Sequence, residues 1–147
     1  MNNTAKQQKI SNENSIIKIV IVEDNRFIRI GWEAVIQANK NFSLIGSFSD
    51  CETAFKSDAP QKTDLVLMDI GLPGMSGIEG VKYLKEKYPN IIIVMCTVHD
   101  DSEEIFQAIC AGAVGYLTKK TSPEELIKAL TEAYNGGSPM TPSVARK

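Results

Sequence analysis

Acidic, hydroxyl and basic side chains stand at the ends of four of the five short apolar segments of the chain. Glu23 and Asp24 follow the first segment, Asp69 follows the third, the fourth ends near Thr97 and Lys119 follows the fifth. If these segments are parallel strands of one sheet, the side chains meet at one edge, because ligands of open parallel sheets bind at the carboxyl ends of the strands. The sequence therefore predicts an acidic pocket that also contains a hydroxyl group and one lysine.

The charges of this pocket favour a divalent cation. Three carboxylates at close range repel one another, and the ammonium group of Lys119 offsets only one of their charges. Mg2+ is suited to compensate the remaining negative charge, because it binds few carboxylates and keeps waters and phosphate oxygens among its ligands. The expected metal ligands are Glu23, Asp24, Asp69 and the backbone carbonyl of Gly71, which follows Asp69 by two residues.

A carboxylate beside Mg2+ and a lysine is suited to phosphoryl transfer. Asp69 is the candidate nucleophile, which would attack phosphorus and become an acyl phosphate. Mg2+ and Lys119 would neutralise charge on the transferring group, and Thr97 would donate a hydrogen bond to one of its oxygens. Taken singly, each of these residues is more often a helix cap, a turn residue or a solvated charge, so the prediction depends on their meeting.

Apolar segments alternate along the chain with segments that carry helix signals. Residues 16–22, 42–48, 64–68, 91–96 and 114–118 are predicted to be buried strands. Helices are expected from Asn25 to Ala38, within residues 50–57, and after the capping residues Ser76, Asp101 and Ser122. This alternation predicts one α/β domain with a five-stranded parallel sheet and helices on both faces.

Composition excludes several other classes. The chain has 147 residues with a net charge of −2, so a basic surface for nucleic acid is not expected, and no stretch is apolar enough to span a membrane. Three scattered cysteines predict a reducing, cytoplasmic location.

Residues 1–15 are interpreted as a flexible polar leader, residues 16–137 as the domain, and residues 138–147 as the start of a linker.

Four motifs carry a resemblance to a known family. They are IVIVEDN, LVLMDIGLPGMSGIEG, VMCTVHDD and GAVGYLTKKTSPEEL, and together they resemble bacterial two-component response regulator receiver domains. The resemblance implies a doubly wound (βα)5 flavodoxin-like fold with strand order 2-1-3-4-5 and a phosphohistidine donor on a sensor histidine kinase. The chain would then be a phosphoacceptor switch and not an enzyme, although it would assist its own phosphorylation and dephosphorylation.

The same resemblance implies roles for the pocket residues. Asp69 resembles the phosphoacceptor, and Lys119 resembles the lysine that pairs with the phosphoryl group. Asp24 resembles the direct metal ligand, and Glu23 resembles the acid that acts through metal-bound water.

A switch is also implied by the resemblance. Thr97 resembles the switch hydroxyl, and Tyr116 stands where the family has its switch aromatic. Phosphorylation would draw Thr97 inward and let Tyr116 fill the vacated space, which would repack the surface formed by the helix after Asp101, the fifth strand and the last helix. A partner or a second copy, paired as a homodimer, would read this surface. The alternative is that Tyr116 is only a half-buried strand aromatic.

Two further segments resemble a subgroup of the family. GYLTKKTSPEEL and GGSPMTPSVARK resemble receivers that precede a LuxR-type (NarL/FixJ-like) helix-turn-helix. The parent is therefore predicted to be a transcription regulator that binds DNA only through a C-terminal domain absent from this chain. Lys120 departs from the subgroup, which often has an acidic residue there, and this leaves the lifetime of the acyl phosphate open. Ile28 and Ile30 of the first helix are candidates for kinase docking.

Other classes are weighed against this interpretation. An aspartyl-phosphate phosphatase usually needs a second carboxylate where this chain has Gly71. A flavin-binding module would need a glycine-rich phosphate loop after the first strand, where this chain is acidic. A pseudo-receiver that serves only as an interaction module stays an open alternative. His99 is interpreted as a loop residue, because no second nitrogen or thiol ligand accompanies it.

Overall fold

The computed structural model describes residues 16–98, 101–141 and 145 of the chain. Its strands are β1 (Ile17–Val22), β2 (Phe42–Phe48), β3 (Leu65–Met68), β4 (Ile92–Thr97) and β5 (Gly115–Thr118). They form one sheet in the order β2-β1-β3-β4-β5, and every neighbouring pair is parallel. The predicted strands and the doubly wound flavodoxin-like fold are confirmed.

Helices connect consecutive strands throughout the sheet. They are α1 (Arg26–Gln37), α2 (Cys51–Lys56), α3 (Ala59–Lys62), α4 (Gly77–Lys87), α5 (Ser102–Ala111) and α6 (Pro123–Tyr134). The sequence did not predict α3, a single turn with a proline among its first residues. None of the described helices is long and apolar enough to cross a membrane. The predicted leader and His99 lie outside the described residues.

Helix caps determine where the chain turns away from the sheet edge. The side chain of Asn25 accepts a hydrogen bond from the backbone N–H of Ile28, so α1 begins directly after the two acids of β1. Ser76 and Glu79 form a capping box at the start of α4. The capping box predicted at Ser122 is also present, at the start of α6. These caps fix the residue at which each helix begins after the strand that precedes it.

Both faces of the sheet are covered. On one face, residues such as Val66 and Ile93 pack against α2, α3, α4 and α5, and on the other face, residues such as Leu67 pack against α1 and α6. Apart from Lys18 near the start of β1 and Thr97 at the end of β4, the three central strands β1, β3 and β4 are therefore apolar, as a sheet buried on both sides requires.

The residues after α6 return to the free edge of β5. Tyr116 N donates to Pro139 O at 3.0 Å, and Thr141 N donates to Tyr116 O at 3.3 Å. Met140 forms an isolated parallel bridge with Tyr116, and Pro139 is buried. Residues 138–141, which the sequence assigned to a linker, thus cover the edge strand, while the boundary between domain and linker stays a prediction.

Candidate functional site

The carboxyl end of β1 carries two acids in opposite environments. Glu23 is fully buried, whereas Asp24 is exposed. Glu23 N donates to Phe48 O at 2.9 Å, and Glu23 Oε2 accepts a hydrogen bond of 2.9 Å from Asn25 N. The first acid is therefore held inside the domain, while the second faces solvent.

Asp69 lies beside these acids because β3 is the neighbour of β1. Its backbone N–H donates to Val22 O at 3.0 Å, and only 4% of the residue is exposed. The helix that follows packs directly on the same backbone, since a Cβ on Gly77 would lie 2.3 Å from Asp69 O. Only glycine allows the start of α4 to approach the Asp69 backbone this closely. The helix therefore packs directly against the backbone that carries Asp69.

The three acids form one cluster. One carboxylate oxygen from each of Glu23, Asp24 and Asp69 lies within 4.8 Å of the other two. Asp69 Oδ1 is buried and has no hydrogen-bond partner among the described residues. A buried carboxylate oxygen without a partner is costly, so this atom needs a cation or a donor. Three carboxylates, of which that of Asp24 is exposed to solvent, are a set of oxygen ligands suited to a hard cation such as Mg2+.

Lys119 bridges two of the acids. Its Nζ lies 2.6 Å from Glu23 Oε1 and 3.3 Å from Asp69 Oδ2, and its side chain is 11% exposed. Lys119 N donates to Thr97 O at 3.0 Å, which ties the lysine to the end of β4. Thr97 is fully buried. The structure thus brings together the three acids, the lysine and the threonine that the sequence predicted to meet.

Burial and charged neighbours shift the pKa values of Glu23 and Lys119 in opposite directions. Desolvation raises the pKa of the Glu23 carboxyl, although contacts with Lys119 and the Asn25 backbone lower it. Desolvation lowers the pKa of Lys119, but its contacts with Glu23 and Asp69 outweigh this effect, and its pKa is raised. The raised pKa keeps the lysine charged at neutral pH.

Two other predicted site residues lie nearby. Tyr116 is fully buried and packs in the cluster that includes Ile105 and Ala108 of α5, so the half-buried ring of the alternative interpretation is not observed. Gly71 is exposed in the loop after β3. The roles of Tyr116 as a switch and of Gly71 as a ligand stay predictions.

Two charged residues that the sequence analysis did not single out hold the loops of the site. Arg29 Nη1 donates to the backbone oxygen of Glu23 at 2.7 Å. Glu52 Oε2 accepts a hydrogen bond of 2.7 Å from Met75 N in the loop after Asp69. No local pattern marks either residue, because each contact joins a helix to a loop through the fold.

Of the two surplus apolar residues expected on α1, Ile30 is exposed and Ile28 is not. Ile28 is only partly exposed and packs against the core, whereas Phe27 is 86% exposed and Ile30 is 46% exposed. Phe27 and Ile30 are three residues apart and so share one face of the helix. Phe27 and Ile30 are therefore an exposed apolar pair on α1, and a role of this helix in kinase docking stays a prediction.

Comparison with known proteins agrees with this site. The model of the response regulator receiver domain family matches residues 19–131. The chain is 38% identical over 120 residues to the uncharacterized transcriptional regulatory protein YxjL of Bacillus subtilis, an alignment that covers 82% of this chain and 55% of that protein. The chain spans little more than half the length of the curated relatives it matches.

Solved structures show the same architecture. A LuxR-family two-component response regulator from Aurantimonas sp. SI85-9A1 is 30% identical with a TM-score of 0.83, covering 90% of this chain and 94% of that chain. The isolated receiver domain of RcsB from Salmonella enterica serovar Typhimurium, determined with the phosphomimetic BeF3-, is 23% identical with a TM-score of 0.80, covering 90% of this chain and 98% of that chain, and shows the fold alone. With the family match, the fold and the acidic cluster in agreement, the chain belongs to the response regulator receiver domain family.

Proposed function

We propose that Asp69 accepts a phosphoryl group from a phosphohistidine of a sensor histidine kinase. The observation that carries this proposal is the cluster of Asp69 with Glu23, Asp24 and Lys119, in which one oxygen of Asp69 is buried without a partner in the described part of the chain. A receiver domain implies a sensor kinase as partner, and receiver domains of transcription regulators are generally not enzymes. The chain is accordingly a phosphoacceptor that is switched by a kinase.

The proposed transfer uses the groups that surround Asp69. A carboxylate oxygen of Asp69 forms a bond to phosphorus while the P–N bond of the donor breaks, and the electron pair of that bond returns to the imidazole nitrogen. Lys119, which already lies 3.3 Å from Asp69, pairs with a phosphoryl oxygen as charge accumulates there. Thr97, at the end of the neighbouring strand, donates its hydroxyl to another oxygen.

Receiver domains generally use Mg2+ at their acidic phosphorylation site, and the cluster fits that ion. We assign Glu23, Asp24, Asp69 and the carbonyl of Gly71 as the groups that hold it. When bound, Mg2+ supplies positive charge that stabilises the phosphoryl group in transfer. Both oxygens of Glu23 are already engaged, by Asn25 N and by Lys119, which favours a contact of Glu23 through water. Asp24 is exposed and so is available to bind directly.

The output surface is proposed to consist of α5, β5 and α6. Phosphorylation at Asp69 would reposition the hydroxyl of Thr97. The side-chain packing of the output surface would then change at the point where this surface covers Tyr116. Because Tyr116 is fully buried here, a switch through its ring requires a second, more exposed position. Phe106 and Ile109 are exposed on α5 and would take part in a contact with a partner or a second copy.

The parent protein is proposed to be a cytoplasmic transcription regulator. This chain aligns with little more than half the length of each transcriptional regulator it matches. The remaining length of those relatives supports a further, DNA-binding part in the parent protein. The free thiols of Cys51, Cys96 and Cys110 support a reducing compartment. DNA would be bound by that further part and not by this chain.

Phosphorylation of the purified chain tests the proposal. Incubation with MgCl2 and acetyl phosphate, followed by intact mass spectrometry, is expected to add one phosphoryl group. The adduct should be absent from Asp69→Asn and from wild type treated with EDTA. No adduct on the wild type, with the fold intact, would favour a pseudo-receiver that acts only as an interaction module. Turnover of a generic phosphate ester would instead favour a phosphatase.

A further inference from the structure

An arginine of α1 contacts the backbone between the two acids of β1. Arg29 Nη1 donates a hydrogen bond of 2.7 Å to the backbone oxygen of Glu23. That oxygen belongs to the peptide group that joins Glu23 to Asp24, and because the group is planar, a contact that orients its carbonyl also orients its N–H. The guanidinium thus restricts ψ of Glu23 and φ of Asp24, the backbone angles that set the relative directions of the two carboxylates.

The guanidinium is itself held in place. Its Nε lies 4.0 Å from Oε2 of Glu33, one turn further along α1, and Ser47 of β2 donates its hydroxyl to the same oxygen at 2.5 Å. The Arg29 side chain is only 20% exposed. These contacts connect β2 and α1 to the loop that carries the acids, so the orientation of the peptide is supported by two elements of the fold.

A cation at this position has two opposite effects on metal binding. Its positive charge weakens the binding of a second cation in the nearby acidic cluster. Its hydrogen bond holds a ligand-bearing loop in one conformation, which strengthens binding because the metal does not have to order the loop. Since the two effects differ in sign, the direction in which the affinity changes when Arg29 is replaced shows which effect is larger.

We propose that Arg29 is a positioning residue of the metal site, which keeps the peptide between Glu23 and Asp24 in the orientation that Mg2+ binding requires. The oxygens of the three acids already lie within 4.8 Å of one another with Arg29 in contact, as preassembled ligands should. The inference rests on the proposed function of the acidic cluster as a magnesium site.

The test is a titration with MgCl2 of four proteins, followed by the NMR signals of the Asp24 and Asn25 amides. The proteins are the wild type, Arg29→Gln, Arg29→Lys and the control Arg26→Gln. Arg26 is an exposed cation of the same helix, so its replacement removes the same charge. We expect the Kd for Mg2+ to rise about tenfold in Arg29→Gln, as is usual when a partner of a metal ligand is lost, and not to rise in Arg26→Gln.

Arg29→Lys separates geometry from charge. A lysine keeps the positive charge, and with it the repulsion of Mg2+, but replaces the planar guanidinium by a point charge. A rise of the Kd in Arg29→Lys above the wild-type value therefore reports the lost orientation of the peptide alone. A second measurement needs no metal: hydrogen exchange of the Asp24 amide in Mg2+-free buffer should be faster in Arg29→Gln than in the Arg26→Gln control.

A Kd for Arg29→Gln equal to or below that of the wild type would overturn the inference, because the lost hydrogen bond would then not outweigh the relief of charge repulsion. If circular dichroism shows that Arg29→Gln does not fold, Arg29→Lys decides: a Kd above the wild-type value supports the role, and an equal Kd rejects it. A wild type that shows no Mg2+-dependent shift would overturn the metal site itself, and the inference with it. The two kinds of failure are therefore distinguishable.

Discussion

Removal of the charge of Lys119 should destabilise the domain and make its stability depend on pH. In Lys119→Met, Glu23 and Asp69 keep their carboxylates but lose the ammonium that lies 2.6 Å and 3.3 Å from them. Removing one partner of a buried ion pair costs about 3–5 kcal/mol, and the 11% exposure of this side chain places the expected loss near the lower end. That loss is a large part of a typical stability of about 5–15 kcal/mol.

The pH dependence follows from the pKa of Glu23. Burial already raises this pKa above the ordinary value of 4.5, and contact with Lys119 partly opposes that effect. Loss of the Lys119 charge therefore raises the pKa of Glu23 further. Between that value and the raised pKa, the folded state keeps a proton that the unfolded state has lost, and stability falls by about 1.4 kcal/mol per pH unit as pH rises. The deficit of Lys119→Met should therefore be smaller at pH 5 than at pH 8.

Urea denaturation in EDTA, at pH 5 and at pH 8, measures both effects. Lys120→Met is the matched control, because it removes the same charge from the adjacent, exposed position. Mg2+ should restore part of the lost stability in Lys119→Met, by about 1.4 kcal/mol at ten times its Kd. Equal stability of Lys119→Met and Lys120→Met at pH 8 would refute the argument that Lys119 offsets buried charge.

Three further outcomes are expected. Asp69→Asn should be more stable than the wild type to urea in EDTA, because it removes one carboxylate from a crowded cluster; a less stable variant would contradict this. Gly77→Ala should lose about 1–3 kcal/mol in the same denaturation assay, because its Cβ would meet Asp69 O at 2.3 Å; unchanged stability would show that the loop yields freely. At pH 8, iodoacetamide should modify the exposed Cys110 and spare Cys51 and Cys96, because burial raises the pKa of both thiols to about 12. Peptide mass mapping would detect rapid labelling of either buried thiol as the contrary result.

Local sequence was sufficient for the five strands, for every described helix except α3, and for the acids and the lysine that the structure brings together. Apolar runs of β-branched residues define the strands, and the capping residues Asn25, Ser76 and Ser122 define where helices begin. Because parallel strands end at one edge of a sheet, the residues that follow them had to meet, and the chemistry of Asp69 and Lys119 could be predicted before any contact was known.

Long-range packing decided what local patterns do not contain. Glu23 and Asp24 are adjacent acids in the sequence, yet one is fully buried and the other exposed, since only the first extends into the interior reached by Lys119. The contact of Arg29 with the Glu23 backbone depends on where α1 packs, and the burial of Tyr116 depends on the neighbours that the sheet brings to it. Residue types and spacing thus determined which groups meet at the sheet edge, whereas three-dimensional packing determined their burial, their partners and their charge balance.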